Sequence, residues 1–359
     1  MASKPKICVI GGGTFGEMHL RTFRQLENEG RCAFQALADI DEELLAERRS
    51  EYGMRTYTDY IEMIEREEPD GVTIATPDHL HRELALEAIK RGVHVFVEKP
   101  LDVTAAGCRQ IIDAADEAGL LLEVDFHKRW DPYHQELKRL AEEGKFGEVE
   151  YGYAWMEDRI EVPRDWWPDW AGESSPGWFL AIHMVDLFRW IADTRGLAVY
   201  ATGIRKKLAS IGVDAWDSIS LSVSMENEVS FQCQVCWILP DAFEAIVNQG
   251  IRIVGTDGIM EVDSQDRGAD SCFAETDRME TYNLGFFRET TNKAGETVYG
   301  GYGIDAIADF ADNLAYLLDG GDLADLAGQY PDGEDGLEAT KIVQAAHESL
   351  ETGKLIDIA

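Results

Sequence analysis

Basic residues are scarce beside acidic ones: 33 Lys and Arg stand against 68 Asp and Glu, a formal net charge of −35 over 359 residues. A field of that sign repels phosphate backbones and anionic membrane surfaces, which argues against nucleic acid and membrane as partners. Acidity itself names no activity, since it also serves solubility. Cysteine is sparse, six residues spread along the chain, and that excludes the disulfide framework of a small secreted domain. Cys233 and Cys236 form a C-x-x-C, but "VSFQCQVCWIL" is a strand pattern whose odd offset sends the two side chains to opposite faces, so no metal centre is expected. Long apolar runs are missing too: none approaches the ~20 residues of a membrane span. The opening "MASKPKICVIGGG" has no apolar stretch with a small-residue cleavage site, so a cytoplasmic protein is expected.

What is present is a strong alternation. "PKICVI", "AFQALAD", "DGVTIAT", "GVHVFVEKP" and "LLLEVDF" read as strands, and "FGEMHLRTFRQLEN", "DHLHRELALEAIKRG" and "AAGCRQIIDAADEAG" between them read as helices. Near-continuous apolar strands separated by helices predict a doubly wound parallel sheet covered on both faces over residues 1–125. A helix opens at Asp131-Pro132 and runs towards Gly144. From there the rhythm changes to alternating strands, "EVEYGYAWMED", "SISLSVSME", "EVSFQCQVCWIL", "FEAIVNQGIRIVGT" and "GIMEVD", interrupted by the helical "GWFLAIHMVDLFRWIAD" and closed by helices near 303–319 and 335–351. Residues 126–359 are therefore expected to form an α+β domain, a mostly antiparallel sheet with helices on one face.

Gly11, Gly13 and Gly16 spell G-x-G-x-x-G, with Thr14 and Phe15 inside it, directly after the first strand and at the start of a helix. The first glycine permits the tight turn, the second lets a pyrophosphate approach the backbone, and the third lets helix and strand pack closely. Asp39 ends the second strand, where an acidic residue reads the ribose 2′-hydroxyl and repels a 2′-phosphate; Asp41, Glu42 and Glu43 add to the repulsion. NAD is expected over NADP. "VEKP" sets Glu98 and Lys99 at the carboxyl end of a parallel strand, the edge where open α/β sheets hold ligands. There a lysine either stabilises a developing alkoxide or is one half of a surface ion pair.

"GGGTFG", "DGVTIATPDHLHRELALEAIKRGVHVFVEKPL", "HKRWDPY" and "DGEDGLEATKIVQAAHESLETGK" together resemble the glucose–fructose oxidoreductase / inositol dehydrogenase / MocA family over nearly the whole chain. The resemblance implies an N-terminal Rossmann domain and an open-faced C-terminal sheet used for homo-oligomer contacts, as a dimer or tetramer. It implies that Lys99 is the catalytic lysine, that Thr76, Pro77 and His81 lie along the cofactor, and that Glu98 faces the nicotinamide side. In "HMVD", His183 and Asp186 fall on one helical face. The family pattern there is D-x-G-x-H-x-x-D, and this chain has Phe179 and Ala181 in place of the aspartate and glycine. His183 is then left to act as acid/base with Lys99, supported by Asp186, Glu157 or Asp158; the ordinary alternative for a histidine on an apolar helix is a satisfied core residue. Lys128 and Arg129 resemble the basic pair bordering the family's substrate site.

The stretch "EDRIEVPRDWWPDWAGESSPGW" carries Trp166, Trp167, Trp170 and Trp178. Indoles of this density form either an apolar wall against a sugar ring or the core of a subunit contact. The whole reads as an NAD-dependent oxidoreductase of a secondary hydroxyl on a small-molecule sugar, polyol or glycoside. Two alternatives remain open: an NAD-retaining enzyme that cleaves a glycoside through a transient ketone and elimination, and a nucleotide-sensing regulator without catalysis.

Overall fold

The computed structural model describes residues 3–275 and 278–358. Two compact units make up the chain. One runs to Trp130 and resumes over Gly285–Leu337; the other comprises Asp131–Leu284 and the residues from Glu338 onward.

The first unit holds six strands, β1 (Lys6–Ile10), β2 (Ala33–Ala38), β3 (Arg55–Tyr57), β4 (Gly71–Ile74), β5 (His94–Val97) and β6 (Leu122–Val124), in the order β3-β2-β1-β4-β5-β6. Every neighbouring pair is parallel. The connecting helices are α1 (Thr14–Glu29), α2 (Glu42–Tyr52), α3 (Tyr60–Glu67), α4 (His81–Lys90) and α5 (Ala105–Ala118). β1, β4 and β5 are apolar because both of their faces are covered. α1 turns Leu20, Phe23 and Leu26 inward at helical spacing. The strand order reverses between β1 and β4, which places a ligand crevice at the carboxyl ends of the strands.

The domain division expected at residue 125 is shifted: the first unit extends to Trp130 and takes back Gly285–Leu337. Packing explains the return. Ile307, Phe310, Ala311 and Leu314 of the helix Tyr302–Leu318 share one core with Ile7, Val9, Phe23 and Phe96. A Cβ on Gly71 would lie 2.5 Å from Leu314 Cδ1, so this helix rests directly on β4. Each large apolar side chain so buried stabilises the unit by roughly 1.5–3 kcal/mol.

One buried group works against that core. Glu123 on β6 accepts a hydrogen bond from Asn313 Nδ2 at 2.8 Å, while its other oxygen has no partner among the described residues. Burial, with the neighbouring Asp309 charge, pushes the Glu123 carboxyl well above the usual range, and burial raises Asp309 to about 6 against the pull of its Asn313 hydrogen bond. The folded chain therefore binds more protons than the unfolded chain. The contribution is fully present below about pH 4 and is lost as pH rises through about 6 and beyond. Glu123→Gln is expected to stabilise the protein by about 1–2 kcal/mol at pH 8 and to flatten its decline with pH. Thermal unfolding followed by calorimetry from pH 5 to 8 (a span of about three units) checks this; an unchanged slope would contradict it.

The second unit is built on β7 (Val149–Arg159), β8 (Gly196–Ile204), β9 (Ser218–Met225), β10 (Ser230–Leu239), β11 (Val247–Gly255) and β12 (Ile259–Asp263), ordered β12-β11-β7-β10-β9-β8, with Ile356–Asp357 at the far edge. All pairs are antiparallel except β7 with β10. Alternation assigns the faces: Ile219, Leu221, Val223 and Met225 point inward from β9 while Ser220, Ser222 and Ser224 point out. On the inner face Phe188 of the helix Ile182–Ala192 stacks on Phe231 at 4.4 Å, in space that exists because residue 152 is glycine. The outer face is open and carries exposed Tyr151, Tyr153 and Tyr200. All six cysteines are free; Cys233 and Cys236 are both buried, and burial pushes both thiols up, Cys236 to about 11. Among the described residues no helix is long and apolar enough to cross a membrane.

Candidate functional site

β1 stops at Ile10 and α1 starts at Thr14, so the chain must reverse within three residues. Gly11 has φ +94°, and a Cβ on it would lie 2.2 Å from the Ala75 carbonyl oxygen; a Cβ on Gly16 would lie 2.1 Å from the Gly11 carbonyl oxygen. These two glycines let α1 close on β1 and β4. Gly13 differs. Nothing lies within 4 Å of its missing Cβ, and it occupies the N-cap of α1 with no side chain capping the helix. Unpaired amides facing open space are what a pyrophosphate requires. Thr76 Oγ1, after β4, is buried with no hydrogen-bond partner among the described residues. An open cradle, a helix N-terminus and a waiting hydroxyl together fit a dinucleotide.

Asp39 directly follows β2, and its carboxylate is engaged with the backbone of the turn. Its Oδ2 accepts the Gly12 N–H at 2.8 Å and its Oδ1 the Asp41 N–H at 3.0 Å, so one carboxylate also fixes the glycine turn. Arg48 from α2 donates through Nε to the Gly12 carbonyl at 3.1 Å and pairs with Glu17 at 3.0 Å, which commits the nearby guanidinium to the loop instead of to a 2′-phosphate. Ile40, next to Asp39, is 91% exposed. Sequence reasoning passed over it, although a lone apolar residue inside "ADIDEE" was the available signal.

Lys99 follows β5 and is only 6% exposed; its Nζ lies 5.8 Å from the centre of the Phe15 ring. It is not a surface side chain. His81 is buried, with Nδ1 2.7 Å from the Pro100 carbonyl and Nε2 2.9 Å from the Thr76 carbonyl, so its ring braces the two turns that flank the crevice. Pro77 is exposed. Glu98 faces inward, towards His19 Nε2 on α1 at 3.4 Å. Asp125, just past β6, completes a buried cluster in which ligand atoms of His19, Glu98 and Asp125 all lie within 4.8 Å of one another. Burial pushes the Glu98 carboxyl up, but the His19 hydrogen bond and the charges of His19, Lys99 and His127 outweigh it and hold the group at about 2.

The basic pair Lys128 and Arg129 is buried. Lys128 is 1% exposed, and Arg129 pairs with Asp335 at 2.9 Å inside the first unit. In the second unit His183 and Asp186 are buried on the helix Ile182–Ala192, Asp158 is buried on β7, and Glu157 accepts from Asn248 Nδ2 at 2.8 Å. A π-helical turn, Gly177–Ala181, leads into that helix, and on it Phe179 packs against Trp167 at 5.6 Å, Trp170 at 5.4 Å and Trp237 at 5.9 Å. The position where the family pattern has an aspartate thus belongs to an aromatic cluster anchored on β10. Trp166, 42% exposed, meets Trp167 edge-on at the outer end of this cluster. Trp178 does not join the wall: it is buried and stacks on His347 at 5.0 Å.

Residues 5–126 match the oxidoreductase family with an NAD-binding Rossmann fold, and residues 134–261 match the C-terminal domain of the same Gfo/Idh/MocA family. The chain belongs to this family, and its N-terminal unit is the family's NAD-binding domain. Inositol 2-dehydrogenase 2 of Saccharopolyspora erythraea is 32% identical over 232 residues, 64% of this chain and 66% of that enzyme. The first inositol dehydrogenase relatives are matched over no more than 66% of their length. D-apiose dehydrogenase of Paraburkholderia graminis is 24% identical over 98% of this chain and 89% of its own. The fold is also that of scyllo-inositol dehydrogenase from Lactobacillus casei, solved with NAD(H) and scyllo-inositol, at a TM-score of 0.77 and 17% identity, covering 99% of both chains.

Proposed function

We propose that the protein is an NAD-dependent dehydrogenase of a secondary hydroxyl on a cyclic polyol, sugar or glycoside, or the reductase of the matching ketone. The observation that carries this reading is Lys99, a sequestered ammonium on the carboxyl edge of the same parallel sheet that holds the open Gly13 cradle. NAD, when bound, exchanges hydride with the carbinol carbon. The Gly13 amide turn and Thr76 would hold its phosphates and nicotinamide half, and Asp39 with Ile40 its adenosine. Lys99 Nζ donates to the substrate hydroxyl oxygen and stabilises the negative charge that develops there, and His183 accepts the hydroxyl proton at a ring nitrogen. Asp186, Glu157 or Asp158 would support that histidine. No carboxylate comes from position 179, so proton transfer falls to the lysine and the histidine.

The names carried by the relatives support polyols and sugars as the substrate class. The exposed Trp166 beside half-buried Trp167 supports a substrate with a broad apolar ring face, as in a glycoside. Purified protein incubated with NAD, inositols, free sugars and glycosides is expected to form NADH with at least one of them. Turnover of free inositols alone rejects the glycoside part; protein that binds NAD and oxidises nothing in the panel rejects the whole.

A further inference from the structure

In the second unit the helix Gly333–Thr352 brings His347 against the turn that leads into the His183 helix, and the bonds around its ring settle where each hydrogen lies. Nδ1 is 2.8 Å from the Val343 carbonyl oxygen, which can only accept, so Nδ1 carries the proton. Nε2 then keeps its lone pair in the neutral ring, and the Ser175 hydroxyl, 2.7 Å away, donates to it. With its hydrogen spent there, the Ser175 Oγ accepts the Gly177 N–H at 3.1 Å and the Trp178 N–H at 3.2 Å, and the Ser175 carbonyl accepts the Phe179 N–H at 2.9 Å. A second proton on the ring would press an N–H against an oxygen that already accepts twice and would orphan the hydroxyl hydrogen. Burial, which pushes the ring below its ordinary value against the pull of the Val343 hydrogen bond, also favours the neutral form. The Gly177, Trp178 and Phe179 amides thus all end on one buried serine, and the serine hydroxyl ends on one histidine.

The ring is also a surface on which the turn rests. Trp178 stacks on it at 5.0 Å with the planes 6° apart, and a Cβ on Gly177 would lie 2.7 Å from His347 Cε1, so the backbone reaches the ring because residue 177 is glycine. We propose that Ser175 and His347 are positioning residues that hold Gly177–Ala181 in its π-helical course and so keep Phe179 in the aromatic cluster behind Trp166 and Trp167. A π-turn is a rare insertion in a helix, frequently at a functional site, and this one has an anchor at its first amides. The π and α courses differ by one residue in hydrogen-bond spacing, so relaxation to α would swing Phe179 by about 100° around the helix axis. Its ring would leave Trp167, Trp170 and Trp237, and Trp167 is the indole that Trp166 meets edge-on. That this wall meets substrate rests on the function proposed above; the anchor itself does not.

The two parts are tested separately. Nitrogen NMR of protein carrying isotope-labelled histidine, at about pH 7.5, is expected to show the His347 ring, identified by its loss in His347→Gln, neutral with its proton on Nδ1. Ser175→Ala and His347→Leu should each weaken the near-ultraviolet circular dichroism of the tryptophan cluster while the far-ultraviolet spectrum stays that of the folded protein. On the substrate that the panel identifies, both should raise KM at least about tenfold, with kcat within about threefold and the NAD dissociation constant unchanged. His347→Gln, whose amide oxygen can accept from Ser175 as Nε2 does, should hold KM within about threefold. Ser175→Ala combined with His347→Leu should be no worse than either alone, because both remove the same hydrogen bond. Four results would overturn the proposal: a ring protonated on Nε2, an unchanged near-ultraviolet spectrum in Ser175→Ala, an unchanged KM in that variant, or a double variant that loses the sum of the two single losses. If the panel yields no substrate, the role of the wall falls with the proposed function, while the NMR and dichroism measurements still decide the anchor.

Discussion

Lys99→Ala is expected to lower kcat by about a hundredfold to ten-thousandfold, with NAD binding retained. The size follows from where the ammonium sits. Close to the Phe15 ring and almost out of solvent, it acts in a medium of low effective dielectric, where a donor to a developing alkoxide is worth far more than in water. The affinity for NAD should survive because the groups fitted to the dinucleotide, Gly13, Asp39 and Thr76, are untouched. Steady-state NADH formation on whichever substrate the panel identifies, paired with calorimetric titration of NAD, checks both halves. A variant that loses affinity and rate together would show that Lys99 holds the cofactor in place of serving the proton.

The glycine turn offers a second large effect, and a contrast within one motif. Gly13→Val should weaken NAD binding by at least about a hundredfold at a cost of roughly 1 kcal/mol or less in stability, because the new side chain enters open space and only an N-cap preference changes. Gly16→Val should do the reverse in order of severity, destabilising by about 3 kcal/mol or more, because its Cβ would be driven into the Gly11 carbonyl and would wedge α1 off β1. Thermal unfolding with and without NAD separates the two: the Gly13 variant keeps its melting temperature and loses the upward shift that ligand confers. A Gly13 variant that melts as early as the Gly16 variant would contradict the assignment of that space to a phosphate.

How far these features were legible in the residues depends on whether their partners are local. The parallel sheet could be read because β1, β4 and β5 are buried on both faces and so are apolar without interruption. The glycine turn and Asp39 could be read because strand, turn and helix follow one another directly. β8 went unread: "GLAVYATGI" carries two glycines and a broken alternation, and only its pairing with β9 makes it a strand. β3, three residues on a sheet edge, gave too little pattern. The return of Gly285–Leu337 to the first unit is decided by side chains more than two hundred residues from the strands they cover, at the helix–sheet contact through Gly71. In the site the same rule holds. Lys99 announced itself through strand position and the E-K-P element, whereas the Glu98 contacts with His19 and Asp125 join separate elements, the first across 79 residues. Lys128 and Arg129 show the converse, a basic pair whose burial and Asp335 contact no local pattern reveals.

The helix Tyr302–Leu318 has a consequence for how the molecule comes into being. Phe310 and Leu314 complete the hydrophobic interior around Phe96 and Ile7, so a nascent chain leaving the ribosome has all six parallel strands long before the piece that seals them. Until roughly nine-tenths of the protein has been translated, the amino-terminal domain waits with that greasy flank uncovered. The second unit's first strands emerge during this interval, which makes the order of synthesis, and any chaperone that shields the flank meanwhile, part of how the nucleotide-binding sheet is finished.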